Sequence, residues 1–311
     1  MKVLNSIRCA LVIAAATISS TAIAEKKDAH NAPDDTAQVS VEPGKKFVYK
    51  QSGGAPQELE VYFPAGWNPA KSKVPGIILF HGGHWTGGDL DQFRYACKYF
   101  ASRGLVAATA NYRMIPLEDR GALPAGESCK RACIIDAKSA IRWMKQHAAE
   151  LGIDPQRLIT GGGSAGGHIS VLATTNPNLN DPGDSMEIDT RVVAYLLFNP
   201  ALHGDDNPDS EADAIQHIKA NLPPAILFFG DQDIPWNPGA TVVLQKLTAM
   251  GNTGAERWIA EGQKHGFFNK PPWQDVTLAQ ADRFLVKHGF LTGPCTLPPP
   301  PNGETLKKEI R

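Results

Sequence analysis

One serine among five glycines, in "RLITGGGSAGGHIS" (residues 157–170), constrains this chain more than any other stretch. A β-rich run (Leu158, Ile159, Thr160) leads into it and a helix-compatible run from His168 leads out. Two chemistries want that strand–turn–helix. Gly161 to Gly166 fits G-x-G-x-x-G, whose glycines let a backbone approach a dinucleotide pyrophosphate. Gly162 to Gly166 equally fits G-x-S-x-G, whose glycines make room for a strained, exposed nucleophilic serine.

The elements around the motif set the fold class. "KFVYKQ" and "ELEVYFP" read as two strands joined by a turn. "VPGIILF", "LVAATA", "RLIT", "VVAYLLF" and "AILFFG" are apolar runs of buried-strand type, and "AERWIA" adds a last strand. Helical patterns alternate with them, in "FRYACKYFASRG", "IIDAKSAIRWMKQHAAELG", "NPGATVVLQKLTAMG" and "TLAQADRFLVKHGF". Such alternation predicts an α/β fold with a mostly parallel sheet, an antiparallel N-terminal hairpin and helices on both faces. One domain is expected over 46–293. The longest insertions, 176–190 and 201–224, are each candidates for a small lid. The proline-rich tail, 294–311, is expected to be irregular and exposed.

The dinucleotide reading needs an acidic residue about 20 positions past the glycines, at the end of the next strand. Asp181 has the count but lies in the turn-rich "NLNDPGD". At least four strands also precede a turn that usually opens the first unit. The serine reading needs a histidine to take the hydroxyl proton and a carboxylate to orient that histidine. Only His265 and His288, of nine histidines, lie downstream of a strand-end acid. His288 closes the last helix beside Gly289, a position that favours the helix dipole. His265, in the glycine-flanked "EGQKHGFFN", is the candidate base. "FFGDQD" offers Asp231 and Asp233 as the acid. Oxyanion donors are expected from the N–H of Ala165 and from "LFHGGHW", with Gly82 and Gly83 as the natural pair. His81 is expected to shape that loop, and His168 to pack or cap locally. Asp205 and Asp206 read as solvated loop charges.

These motifs resemble the α/β-hydrolase superfamily, in the branch of hormone-sensitive-lipase-like esterases and bacterial acetylxylan/feruloyl carbohydrate esterases. The similarity spans nearly all of 46–290, most specifically "HGGHW", "NYRMIP", the run from "IIDAKSA" to "GGGSAGGH", "FFGDQD" and "GQKHGFFN". The resemblance implies Ser164 as nucleophile, Asp233 (three residues past Gly230) as acid and His265 as base. His84, Trp85, Trp236 and Phe267 flank the inferred site and are the candidates for a substrate pocket, although buried aromatics serve as often in a core. The oxyanion loop departs from the common H-G-G-G by carrying His84, and there is little room for an N-terminal helical cap. The implied activity is hydrolysis of carboxylic esters, on small molecules or polysaccharides, with no cofactor or metal. A prolyl-peptidase-like enzyme shares the residue order but usually carries a propeller domain. A non-catalytic binding module is expected only where a triad member is missing.

The 311 residues are 42% hydrophobic with a formal net charge of −1. That balance offers no electrostatic footprint for nucleic acid or an anionic membrane. Residues 1–24 pair a cationic start (Lys2, Arg8) with a short apolar core and the small-x-small exit Ala22-Ile23-Ala24, the pattern of a secretory signal peptide. The apolar core falls short of the roughly 20 residues a membrane span needs. A flexible leader is expected over 25–45, and the localisation is secreted or periplasmic. Export would leave Cys97, Cys129, Cys133 and Cys295, of which Cys129 and Cys295 are the loop-borne candidates for a disulfide. Export predicts that protein recovered outside the cytoplasm begins near Glu25 by N-terminal sequencing; a retained Met1 would contradict it.

Overall fold

The computed structural model describes residues 43–309, apart from 53, 126 and 203–208. The expected signal peptide, the leader up to residue 42, and Asp205 and Asp206 lie outside the described residues. Strands β1 (Lys45–Ser52) and β2 (Ala55–Tyr62) form the antiparallel hairpin, and β2 runs antiparallel to β4 (Val106–Ala110). Next come β3 (Val74–Phe80), β5 (Ile153–Gly163), β6 (Ala194–Phe198), β7 (Ala225–Gly230) and β8 (Ala255–Ala260), all parallel to β4. With β9 (Leu306–Lys308) at the far edge, the sheet order is β1-β2-β4-β3-β5-β6-β7-β8-β9, so the direction of winding reverses at β3. In parallel sheets a crevice opens at such a reversal, beyond the C-terminal ends of the strands.

Strand periodicity splits the core into two layers. Ile78, Phe80, Leu197 and Phe229 join residues of α2 (Lys130–Gln146), α4 (Ala165–Thr175) and α6 (Asn237–Ala249). Ile77, Leu79, Leu196 and Phe228 join α1 (Asp91–Ser102) and α7 (Trp273–Lys287). Adjacent residues thus serve opposite faces, as the two-residue repeat of a strand requires. Helix α4, "AGGHISVLATT", is buried all round apart from Thr174, which explains its lack of a polar face. Two short helices, α3 (Ala148–Leu151) and α5 (Ala214–His217), complete the set.

The structure corrects four expectations. The tail 294–311 carries a strand, β9 (Leu306–Lys308), antiparallel to β8, with Glu309 paired to Arg257. Three residues are too few to show a strand pattern, and only the tertiary partner reveals it. Lys45, expected to end the leader, pairs with Val61 and so belongs to β1. Helix α2 starts at Lys130, a turn earlier than its apolar repeat, because the charged "KRA" hides buried side chains. Finally, the four described cysteines are all free. Cys129 belongs to the layer under α2 and Cys295 packs against the opposite layer, so the sheet stands between them.

The insertion 176–190 is pinned along α2. Lys138 donates to the carbonyls of Asn176 (2.7 Å) and Asn178, and Arg142 donates to Ile188 O, Asp184 and Asn180 at 2.7–3.0 Å. Burial pulls the Lys138 ammonium down to about 8. The insertion 201–224 starts on the serine turn, with Ala201 N–H donating to Ser164 O at 3.1 Å. Burial also pushes the Cys97 and Cys133 thiols well above the ordinary value, which removes the reactive thiolate. A chain starting at Glu25 should therefore titrate four thiols with Ellman's reagent when unfolded, fewer when native. Its gel mobility should be the same with and without reductant, whereas a reductant-dependent shift would mean a disulfide had formed.

Candidate active site

Ser164 stands at the hinge from β5 to α4 with φ +50° and ψ −115°, outside the regions an L-residue prefers. Such strain costs about 1–3 kcal/mol and must be held by its surroundings. Here Ser164 N–H donates to Phe198 O at 2.9 Å, and Ser164 O accepts from His168 N–H and Ala201 N–H at 3.1 Å each. Gly166 makes the hinge possible: a Cβ there would run into the carbonyl of Phe80 at the end of β3.

Three strand ends deliver three side chains to this point. His265, after β8, has Nε2 2.9 Å from Ser164 Oγ and Nδ1 2.9 Å from Asp233 Oδ2. Asp233, after β7, is fully buried, and His265 is half-buried. The carboxylate accepts only, so Nδ1 carries the proton and Nε2 is left to accept from the serine hydroxyl. Asp231 is exposed and its backbone N–H donates to Ala260 O, which leaves Asp233 as the acid of the array.

The loop after β3 lies against the serine turn. Gly83, at φ +120°, folds a tight turn in which its carbonyl accepts from Thr86 and Gly87 N–H at 3.0 Å each. A side chain there would meet Gly87 O as well as strain the backbone. Gly82 differs from its expected role: its N–H donates to Gln92 Oε1 at 2.6 Å, so that donor is already engaged. Gln92 in turn donates from Nε2 to Asn269 Oδ1 at 3.0 Å, tying the β3 loop to the His265 loop. Among the described residues, Gly83 N–H has no acceptor. Ala165 opens α4, where the first N–H groups lack intrahelical partners and the dipole favours negative charge.

The flanking residues fall into two groups. His84 (φ +54°) is exposed and follows Gly83 in the same turn, while Trp85 (φ +60°) is only 5% exposed. Trp85 donates from Nε1 to His168 Nδ1 at 3.2 Å and lies under the Lys130 ammonium, 4.3 Å from the ring centre. Its indole edge meets Trp236 at 6.4 Å, and Trp236 lies 6.1 Å from His265. Ile234, between Asp233 and Trp236 in sequence, is 76% exposed. Phe267 is a correction: at 6% exposed it packs on Trp273 and Phe268 in the α1/α7 layer. The structure also brings in residues that sequence reading passed over, Gln92, Asn199 and Asn269. Gln92 and Asn269 sit in ordinary polar positions and carry no local signal.

A parallel sheet wound in this order, with serine after β5, acid after β7 and histidine after β8, defines an α/β-hydrolase. Comparison narrows the class. Residues 59–200 match the BD-FAE family. The apo form of Thermogutta terrifontis esterase 2 is 35% identical, with a TM-score of 0.73, over 82% of this chain and 98% of that one. From Mycobacterium tuberculosis, carboxylesterase NlhH is 34% identical over 142 residues, 45% of this chain and 39% of NlhH. "Probable carboxylic ester hydrolase LipM" is 32% identical over 189 residues, 51% of this chain and 41% of LipM. The chain thus spans about two fifths of the length of these two curated relatives. It belongs with the esterases of the α/β-hydrolase fold.

His81 supports the β3 loop from beneath. It is buried, stacks on Tyr112 at 4.4 Å, and its Nδ1–H donates to Gly82 O at 2.8 Å. Burial holds its imidazole below the ordinary value, against a smaller upward pull from the Gly82 carbonyl. The unfolded chain therefore takes up a proton that the native chain refuses, and stability drops as pH falls through the ordinary histidine value of about 6.5. Chemical denaturation between about pH 8 and pH 5 should show that drop, and His81→Asn should reduce it; an unchanged slope in the variant would refute the assignment.

Proposed function

We propose that the protein is a serine carboxylesterase working through an acyl-enzyme on Ser164. The observation that carries this reading is the unbroken hydrogen-bonded line from Ser164 Oγ through His265 to Asp233. Ser164 attacks the ester carbonyl as His265 Nε2 takes its proton, and the buried Asp233 carboxylate stabilises the imidazolium. The N–H groups of Gly83 and Ala165 hold the oxyanion, a contribution of roughly 10²–10³ in rate per donor. His265 returns the proton to the leaving alcohol, and water then repeats the sequence to release the acid.

Short acyl groups suit this site. Thermogutta terrifontis esterase 2 has been solved with propionate and with butyrate bound. In this chain the bulk of Trp236 beside His265, backed by Trp85, supports the same preference. The natural alcohol is proposed to be a carbohydrate bearing acetyl or feruloyl groups, met outside the cytoplasm. The signal-like residues 1–24 and the sequence resemblance support both points.

A panel of p-nitrophenyl acetate through laurate, methyl ferulate and acetylated xylan, given to wild type and Ser164→Ala, tests the proposal. Acetate to butyrate esters should turn over best, and the variant should lose roughly 10³-fold or more. Folded wild type that cleaves no ester would refute it. Paraoxon, which phosphorylates Thermogutta terrifontis esterase 2, should block wild type with one phosphoryl group, found on Ser164 by mass spectrometry. Because His265 must be neutral to act as base, kcat/KM should fall in acid. A flat profile down to about pH 4 would contradict a histidine base.

A further inference from the structure

We propose that Asn199 is a positioning residue of the triad, aligning Asp233 and the His265 loop through its carboxamide. The proposal rests on the triad reading above. Asn199 is fully buried directly after β6, and its backbone N–H donates to Phe228 O at 2.8 Å. Its Nδ2 donates to Asp233 Oδ2 at 2.7 Å, the same oxygen that receives His265 Nδ1–H. Its Oδ1 accepts from the N–H of Gly266, the residue after His265, at 3.2 Å. The preceding carbonyl, Phe198 O, accepts from Ser164 N–H. One dipeptide therefore touches the turns that carry all three triad members.

The Asp233 carboxylate makes this contact consequential. Among the described residues its Oδ1 has no hydrogen-bond partner, so apart from His265 itself the carboxylate plane is fixed by the Asn199 amide. Without it the carboxylate can rotate about its terminal torsion, which is broad, and the His265 ring loses its fixed acceptor. Displacements of about 1 Å in such arrays cost on the order of 10²-fold in rate. Asn199 also sits at φ +46°, a left-handed conformation that asparagine tolerates better than most residues. Asn199→Gly consequently deletes the carboxamide without adding backbone strain, and Asn199→Ala deletes it with modest strain.

The test is a double-mutant cycle on p-nitrophenyl butyrate with Asn199→Gly, Asn199→Ala, Asp233→Asn and the doubles, each checked for its melting temperature. Asn199→Gly should lower kcat by roughly 10- to 100-fold with KM within about twofold. On the Asp233→Asn background the same change should cost less than about threefold, because the contact it served is already broken. Full multiplication of the two losses, or a kcat in Asn199→Gly within twofold of wild type, would overturn the proposal. So would loss of folding in both single variants, which would assign Asn199 to stability. The downfield proton resonance of the Asp233–His265 hydrogen bond, read without substrate, should broaden or move in Asn199→Gly. An unmoved resonance would count against Asn199, whereas wild type inert toward esters counts against the function and not against this contact.

Discussion

The carbonyl of Phe80 lying against the bare Cα of Gly166 is the contact on which the site depends. It brings the end of β3 and the first turn of α4 closer than any side chain allows. The serine and the peptide groups that stabilise its oxyanion thereby share one corner of the sheet. The same contact lets Ser164 hold a disfavoured backbone conformation, because strands β3 and β6 flank the turn and are themselves buried on both faces. A strain of a few kcal/mol is small beside the burial of two apolar layers, each supplying roughly 25 cal/mol per Å² removed from water.

Around that corner, groups that carry charge during catalysis are few and those that carry none are arranged to stay neutral. His81 is buried in a form that resists protonation, and Asp233 is enclosed with its counterpart histidine. Low-dielectric surroundings make the peptide dipoles of Gly83 and the α4 terminus more effective toward a new negative charge than they would be in water. The side chains of Gln92 and Asn199 are amides, which add direction without adding charge. Each joins loops far apart in sequence, so the alignment of the site is a property of the assembled sheet.

The sequence revealed the order of strands and helices because both periodicities were strong in the interior runs. It also pointed to Ser164 and His265, each in a glycine-marked turn directly after a strand, whereas the same kind of turn offered both Asp231 and Asp233 and only the family resemblance favoured Asp233. What stayed hidden depended on partners distant in the chain. Gly82 looks as suitable a donor as Gly83 until Gln92, ten residues on, engages its N–H. Phe267 follows the histidine by two residues, yet the turn after Gly266 sends it into the core. Asn199 reads as a loop residue before a proline, and nothing in "FNP" announces Asp233 as its neighbour. Strand β9 was invisible because its pattern is set by the edge it covers.

That edge has its own consequence. Strand β8 would otherwise present the open side of a parallel sheet, a ready template for another chain. β9 covers it with only three residues, two of them lysines, and fastens there through Arg257 and Glu309. At the opposite border β1 is lysine-bearing and irregular between Val48 and Lys50. Both margins of the sheet are thus poor templates for self-pairing, so the edges discourage the strand-to-strand growth by which an unguarded sheet recruits copies of itself.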